Sequence, residues 1–151
     1  MDNLKDFLFA LGYSRTKLKK TITNHFEIKA KINNIKGRFI LDTGASNSCV
    51  GFHEIENFCL VTEESEHKAS GAGSTEIDTL VSKKNEIKIG KYKIKKTSLI
   101  LIDLTHINNA LVKQKANPVQ GIIGADILHK GKVIIDYDKK YLYLKNKQIA
   151  F

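Results

Sequence analysis

From Phe26 onward the chain alternates. Phe26, Ile28, Ala30 and Ile32 are apolar and the residues between them are charged, the period of two expected of a half-buried strand. The segment "NNIKG" makes a turn, and "RFIL" returns as the second arm of a hairpin. Further on, "HKASGAGSTEIDTLVSK" reads as strand, glycine turn and strand, with Ile77, Thr79 and Val81 alternating. "NEIKIGKYKIKKTSLILID" supplies two more strands about a turn at Gly90, and "VIIDYDKKYLYL" closes the chain as a hairpin turning at Asp138-Lys139-Lys140. Helical spacing occurs in three places. Leu4, Phe7, Leu8 and Leu11 mark a short amphipathic helix with Asp2 as cap and Gly12 as stop. Ile107, Ala110 and Leu111 mark a second, and "ADIL" after Gly124 a third. The acidic stretch around Glu63, Glu64 and Glu66 reads as a solvated loop. Short strands with few helices predict a closed or sandwiched β-fold rather than a βαβ one. No repeat or linker divides the chain, so one β-domain over 17–151 is expected, preceded by a helical extension over 1–16.

Composition adds limits to this picture. The 151 residues are 42% hydrophobic and 27% charged, which suits a folded globular domain with a true core. Apolar runs such as "FLFAL" and "LILI" are far shorter than the roughly 20 residues of a membrane-spanning helix. The N-terminus carries acidic residues where a signal peptide needs positive charge, so a cytoplasmic protein with no membrane partner is expected. Cys49 and Cys59 form no CxxC pair and read as reduced, buried thiols. The formal charge of +9 is almost all lysine, spread from end to end, with Arg15 and Arg38 the only arginines. Nucleic-acid recognition favours clustered arginine with aromatics, so no nucleic-acid partner is expected; a preference for acidic partners stays open.

The chemistry starts in "FILDTGASNSCV", where an apolar strand runs straight into Asp42. An ionised group gains a core strand nothing, because a buried unpaired charge is costly. Two further features accompany it: the glycine-rich tip "GAGS", and "GIIG" followed by "ADIL" near the C-terminus. In this order and spacing the three resemble the retropepsin-like aspartic proteases, over roughly Phe26 to Leu144. The resemblance implies a mostly β, closed barrel-like acid-protease fold with one lobe per chain. It implies Asp42 as the catalytic carboxylate, with Thr43, Gly44, Ala45 and Ser46 supporting the active-site loop. Gly71, Ala72 and Gly73 would form a flap over an extended peptide, and Ile122, Ile123 and Gly124 a strand bracing the loop from beneath.

Amide hydrolysis without a metal or covalent nucleophile needs a base to activate water and an acid to protonate the carbonyl oxygen. Two adjacent carboxylates sharing one proton supply both, as is established for aspartic proteases. This chain has a single Asp-Thr-Gly, hence half a site. The resemblance therefore implies an aspartic endopeptidase acting as a homodimer, with one Asp42 from each subunit on a two-fold axis and no cofactor. The alternative is a catalytically silent dimer of the same fold that binds extended peptides. Retroviral enzymes usually place an aspartate and an arginine where Ser46 and Ala125 stand here, so both members of that pair are missing together.

Competing readings are weaker. The Asp-x-Gly phosphate loop of actin-like ATPases belongs to large two-lobed chains of βαβ texture. The histidines at 25, 53, 67, 106 and 129 have no ligand spacing, so no metal is expected. Cys49 reads as a small buried hydrophobe, Tyr141 and Tyr143 as cross-strand packing, and Asp126 and Asp136 as capping or surface residues.

Overall fold

The computed structural model describes residues 3–70 and 76–146. Its frame is a barrel of strands β3 (Phe26–Ile32), β4 (Ile35–Leu41), β9 (Gly121–Ile123), β5 (Cys49–Gly51), β8 (Tyr92–Ile102) and β7 (Glu76–Ile89), hydrogen-bonded in that spatial order. Two register pairs between β3 and β7, Lys31 with Lys88 and Ile32 with Ile87, close the ring of six. Strands β2 (Lys19–Lys20) and β6 (Thr62–Ser70) extend its β3 and β7 sides. A separate three-stranded antiparallel sheet combines β1 (Tyr13–Lys17), β11 (Tyr141–Lys145) and β10 (Ile134–Asp136). Helices α1 (Asn3–Ala10), α2 (Thr105–Lys113) and α3 (Ala125–Lys130), with a short 3-10 helix at Phe52–Glu54, complete the described elements. None of these helices is long and apolar enough to cross a membrane.

The alternation in β3 translates directly into burial. Ile28 and Ile32 point into the barrel beside Phe39, Phe58, Ile87, Ile89, Leu99 and Leu101, while Lys29 faces out. Glu27 is the exception on the outward face. Only 5% exposed, it is held 2.7 Å from the Arg38 Nε of the neighbouring strand. Strand β9 lacks alternation because both of its faces are covered. Ile123 enters the main core, whereas Ile122 joins a second apolar layer of Ile40, Cys49, Leu104, Leu111 and Val119 beneath α2.

Several elements depart from the sequence reading. The β3–β4 turn is only Asn33-Asn34, both with positive φ (50° and 72°), so β4 starts at Ile35 rather than Arg38. Asparagine tolerates this left-handed region, which lets a two-residue turn do the work expected of five. The acidic segment expected as a loop belongs to β6, pairing Glu63 with Val81 and Glu64 with Leu80. The two strands expected on either side of Lys84 are one strand, β7, with an irregularity marked by that residue's φ of 63°. Asn85, 3% exposed, holds that irregularity through its Nδ2, which donates to the Ser82 carbonyl (2.9 Å) and more weakly to the Thr97 carbonyl (3.3 Å). On α1 only Leu8 is buried; Leu4, Phe7 and Leu11 are exposed.

Candidate active site

Asp42 sits one residue past β4, and its backbone N–H donates to the Ile123 carbonyl at 3.0 Å, prolonging the parallel β4–β9 ladder. The chain then turns sharply. The Gly44 N–H donates to Asp42 Oδ1 (2.9 Å) and the Ala45 N–H to the Asp42 carbonyl (3.2 Å). After Asn47 it returns as β5, antiparallel to β9, with Cys49 opposite Ile122. A strand from far along the sequence is thereby threaded between the two arms of the Asp42 loop. The Asp42, Thr43, Gly44 and Ser46 side of this loop is exposed.

The loop is fastened from beneath at three points. The Ala125 N–H donates to the Ala45 carbonyl at 2.7 Å, and the Gly124 N–H to Ser48 Oγ at 2.8 Å. Ser48, fully buried, in turn donates from Oγ to Asp126 Oδ1 at 2.7 Å and from its backbone N–H to the same carboxylate at 3.0 Å. The approach is so close that a Cβ on Gly124 would lie 2.6 Å from the Ala45 carbonyl oxygen. Asp126 and Ser48 are thus the residues that sequence reasoning missed. An acidic residue in the first turn of a helix reads as an ordinary cap, and nothing local shows that its carboxylate reaches back 78 residues. Hydrogen bonds to a charged acceptor contribute more than neutral ones, so Asp126→Ala is expected to cost about 2 to 3 kcal/mol. Urea denaturation of the variant checks this.

The other expected residues are placed as follows. The Thr43 hydroxyl, read as a loop support, has no hydrogen-bond partner among the described residues of this chain. Thr43 instead lines an apolar groove of about 450 Å³ with Leu128, Val133 and Ile135. Ala45 packs against the layer beneath α2, and Ser46 is exposed. Ile122, Ile123 and Gly124 meet the Asp42 loop through the bonds above. Gly71, Ala72 and Gly73 lie outside the described residues; β6 and β7 lead to them, pairing Ser70 with Glu76. The described residues contain no group of three His, Cys, Asp or Glu side chains able to hold a metal ion.

Of the two thiols, Cys59 is exposed rather than buried, in a turn with φ 56°. Cys49 is buried, and its thiol is pushed up to about 12, chiefly by burial and further by the Asp126 and Asp42 charges. An ordinary thiol in the unfolded chain ionises near 8.5. Because the folded value is raised, this contribution to stability is complete below that pH and is lost as pH rises towards about 12. At pH 8 a disulfide reagent is expected to titrate one thiol per folded chain quickly, and the second only after denaturation.

Residues 28–127 match the family model described as "Aspartyl protease". The chain belongs to that family. Its fold is shared with solved structures of low sequence identity. A retropepsin-like aspartic protease from Rickettsia conorii aligns at 20% identity over 89% of this chain and 90% of its own, with a TM-score of 0.61. The retroviral protease-like domain of Ddi1 from Leishmania major aligns at 16% identity over 80% and 88%, TM-score 0.55. EIAV protease, solved with the inhibitor HBY-793, aligns at 20% identity over 74% and 91%, TM-score 0.54. No curated protein matches the chain. This aspartyl protease family member is therefore a single-lobed, retropepsin-like barrel.

Proposed function

We propose that this retropepsin-like chain is an aspartic endopeptidase that works as a homodimer, each subunit supplying one Asp42. The observation that carries the proposal is the state of Asp42. It is exposed at the end of a core strand, oriented by the Gly44 N–H and the Ile123 carbonyl, and alone in a single-lobed chain. Two features of the same face support a second subunit. Among the described residues a Cβ on Gly44 would meet only the Asp42 carboxylate, at 3.3 Å, so none of the others demands glycine there. The Thr43 groove beside it is apolar and open.

In the dimer, two carboxylates brought together do not readily both ionise, so the pair holds one proton. The ionised member takes a proton from a water held between them, and the water oxygen bonds to the peptide carbonyl carbon. The protonated member gives its proton to the carbonyl oxygen. The tetrahedral diol then collapses: one diol hydroxyl gives its proton to the ionised carboxylate as the C=O bond re-forms, and the C–N bond breaks. The departing nitrogen receives a proton from the protonated member, and acid and amine products leave with the pair again holding one proton. Gly71 to Gly73 would cover the extended substrate and exclude water.

Sedimentation velocity tests the assembly, with and without a peptide isostere of the tetrahedral intermediate. A dimer, strengthened by the isostere, is expected. Monomer alone under both conditions would remove the mechanism.

A further inference from the structure

The outer face of β3, β4 and β7 carries a second feature, away from the Asp42 loop. Lys29, Lys31, Lys36, Arg38 and Lys88 line a groove of about 870 Å³ in which Glu54 is the one carboxylate. Strand register sets these cations directly against each other: Lys29 faces Arg38, and Lys31 faces Lys36 on one side and Lys88 on the other. Like charges opposite one another on a sheet destabilise it. Lysines on edge strands have a ready explanation, since they block edge-to-edge association. Lys31 and Lys88 do not sit on edges: Lys31 is register-paired with Lys36 on one side and Lys88 on the other, and Lys88 with Lys31 and Lys93. Lys29 and Lys36 flank them with a strand partner on one side.

The nearby carboxylates do not neutralise them. Glu27 is committed to Arg38 (2.7 Å), Glu86 lies 3.6 Å from Lys93, and Glu54 accepts from Asn57 (2.9 Å) and Gln120 (3.2 Å). No carboxylate among the described residues pairs with Lys29, Lys31, Lys36 or Lys88. The groove wall is fixed in place. Asn108 exchanges two hydrogen bonds with Val119 (2.7 and 3.0 Å), and Gln120 accepts from the Arg38 N–H (2.9 Å). A rigid concave surface with four unpaired ammonium groups, spaced roughly 5 Å between strands and 7 Å along them, matches carboxylates along an extended chain.

We propose that this groove is a docking site for an acidic, extended segment of a protein partner. Lysine point charges suit carboxylates, and no aromatic side chain lines the groove to stack nucleic-acid bases. The proposal is independent of catalysis at Asp42.

The test is fluorescence anisotropy of a labelled decaglutamate peptide titrated with the full chain at low salt. Saturable binding that weakens with added salt is expected. Joint substitution of Lys29, Lys31, Lys36 and Lys88 by Gln should weaken it at least about tenfold, whereas the same charge change at Lys19, Lys20, Lys113 and Lys130 should cost less than about twofold. The groove variant is expected to melt at or above the wild-type temperature, because like-charge pairs have been removed. If it fails to fold, the single variant Lys31→Gln replaces it, with at least about a threefold loss expected. Equal losses from groove and control variants, no binding by wild type, or tighter binding of an oligothymidylate of matching charge would each overturn the proposal.

Discussion

Asp42→Asn is expected to lower kcat/KM for peptide hydrolysis by at least about a thousand-fold, the scale of a lost acid–base group. An unbiased peptide mixture incubated from acid to neutral pH, read by mass spectrometry, checks this against wild type. The substitution isolates chemistry from structure. Asparagine keeps an Oδ1 to accept the Gly44 N–H and leaves the backbone bond to Ile123 untouched, yet it cannot exchange a proton with water. Asp42 is exposed, so unfolding free energy should move by no more than about 0.5 kcal/mol. Cuts made by both proteins at the same rate would remove Asp42 from the mechanism. Silence from both, with a confirmed dimer, would favour the peptide-binding scaffold.

Gly124→Ala is the second large effect, and it acts through structure. The new methyl group would stand 2.6 Å from the Ala45 carbonyl oxygen and 3.1 Å from the Asn47 backbone. Neither neighbour is a flexible side-chain end, so relief requires β9 and the Asp42 loop to separate. That separation strains the Ala125–Ala45 and Gly124–Ser48 hydrogen bonds together. A loss of about 2 to 4 kcal/mol is expected from overpacking and the broken bonds, with activity falling alongside. Gly44→Ala makes the contrast. Among the described residues its methyl group would meet only Asp42 Oδ1 at 3.3 Å, so folding should change by less than about 1 kcal/mol while catalysis suffers. Thermal melts of the two variants separate the cases; similar melting temperatures would contradict the bracing role of Gly124.

The sequence shows some of this plainly and hides the rest for physical reasons. The alternation of Phe26 to Ile32 and the apolar run before Asp42 place β3, β4 and the end of the strand, because burial imposes those patterns. The triple Ile122-Ile123-Gly124 is legible for the same reason, being covered on both faces. Strand β1 is not legible. "YSRTK" has no apolar alternation and is held by its partners, with Arg15 over the Tyr141 ring at 3.8 Å and the Tyr13 hydroxyl donating to the Lys132 carbonyl at 2.8 Å. The first half of β6 is equally hidden: a strand is legible only from His67 on, because the glutamates before it pair by backbone bonds that leave no trace in hydropathy. The Ser48–Asp126 clamp is invisible because it depends on threading β9 between β4 and β5, a fact of topology rather than of local pattern. The lysines of the outer groove look scattered in the sequence and become a cluster only through strand register.

A subunit-mixing experiment tests the central claim, that two Asp42 carboxylates form one site, most directly. Wild-type and Asp42→Asn chains are unfolded together in equal amounts, refolded, and assayed at fixed total protein. Random pairing leaves about one quarter of the dimers with both carboxylates, so activity should fall to about one quarter of the wild-type value. A fall to only about one half would mean that each chain acts alone, and would contradict the shared site.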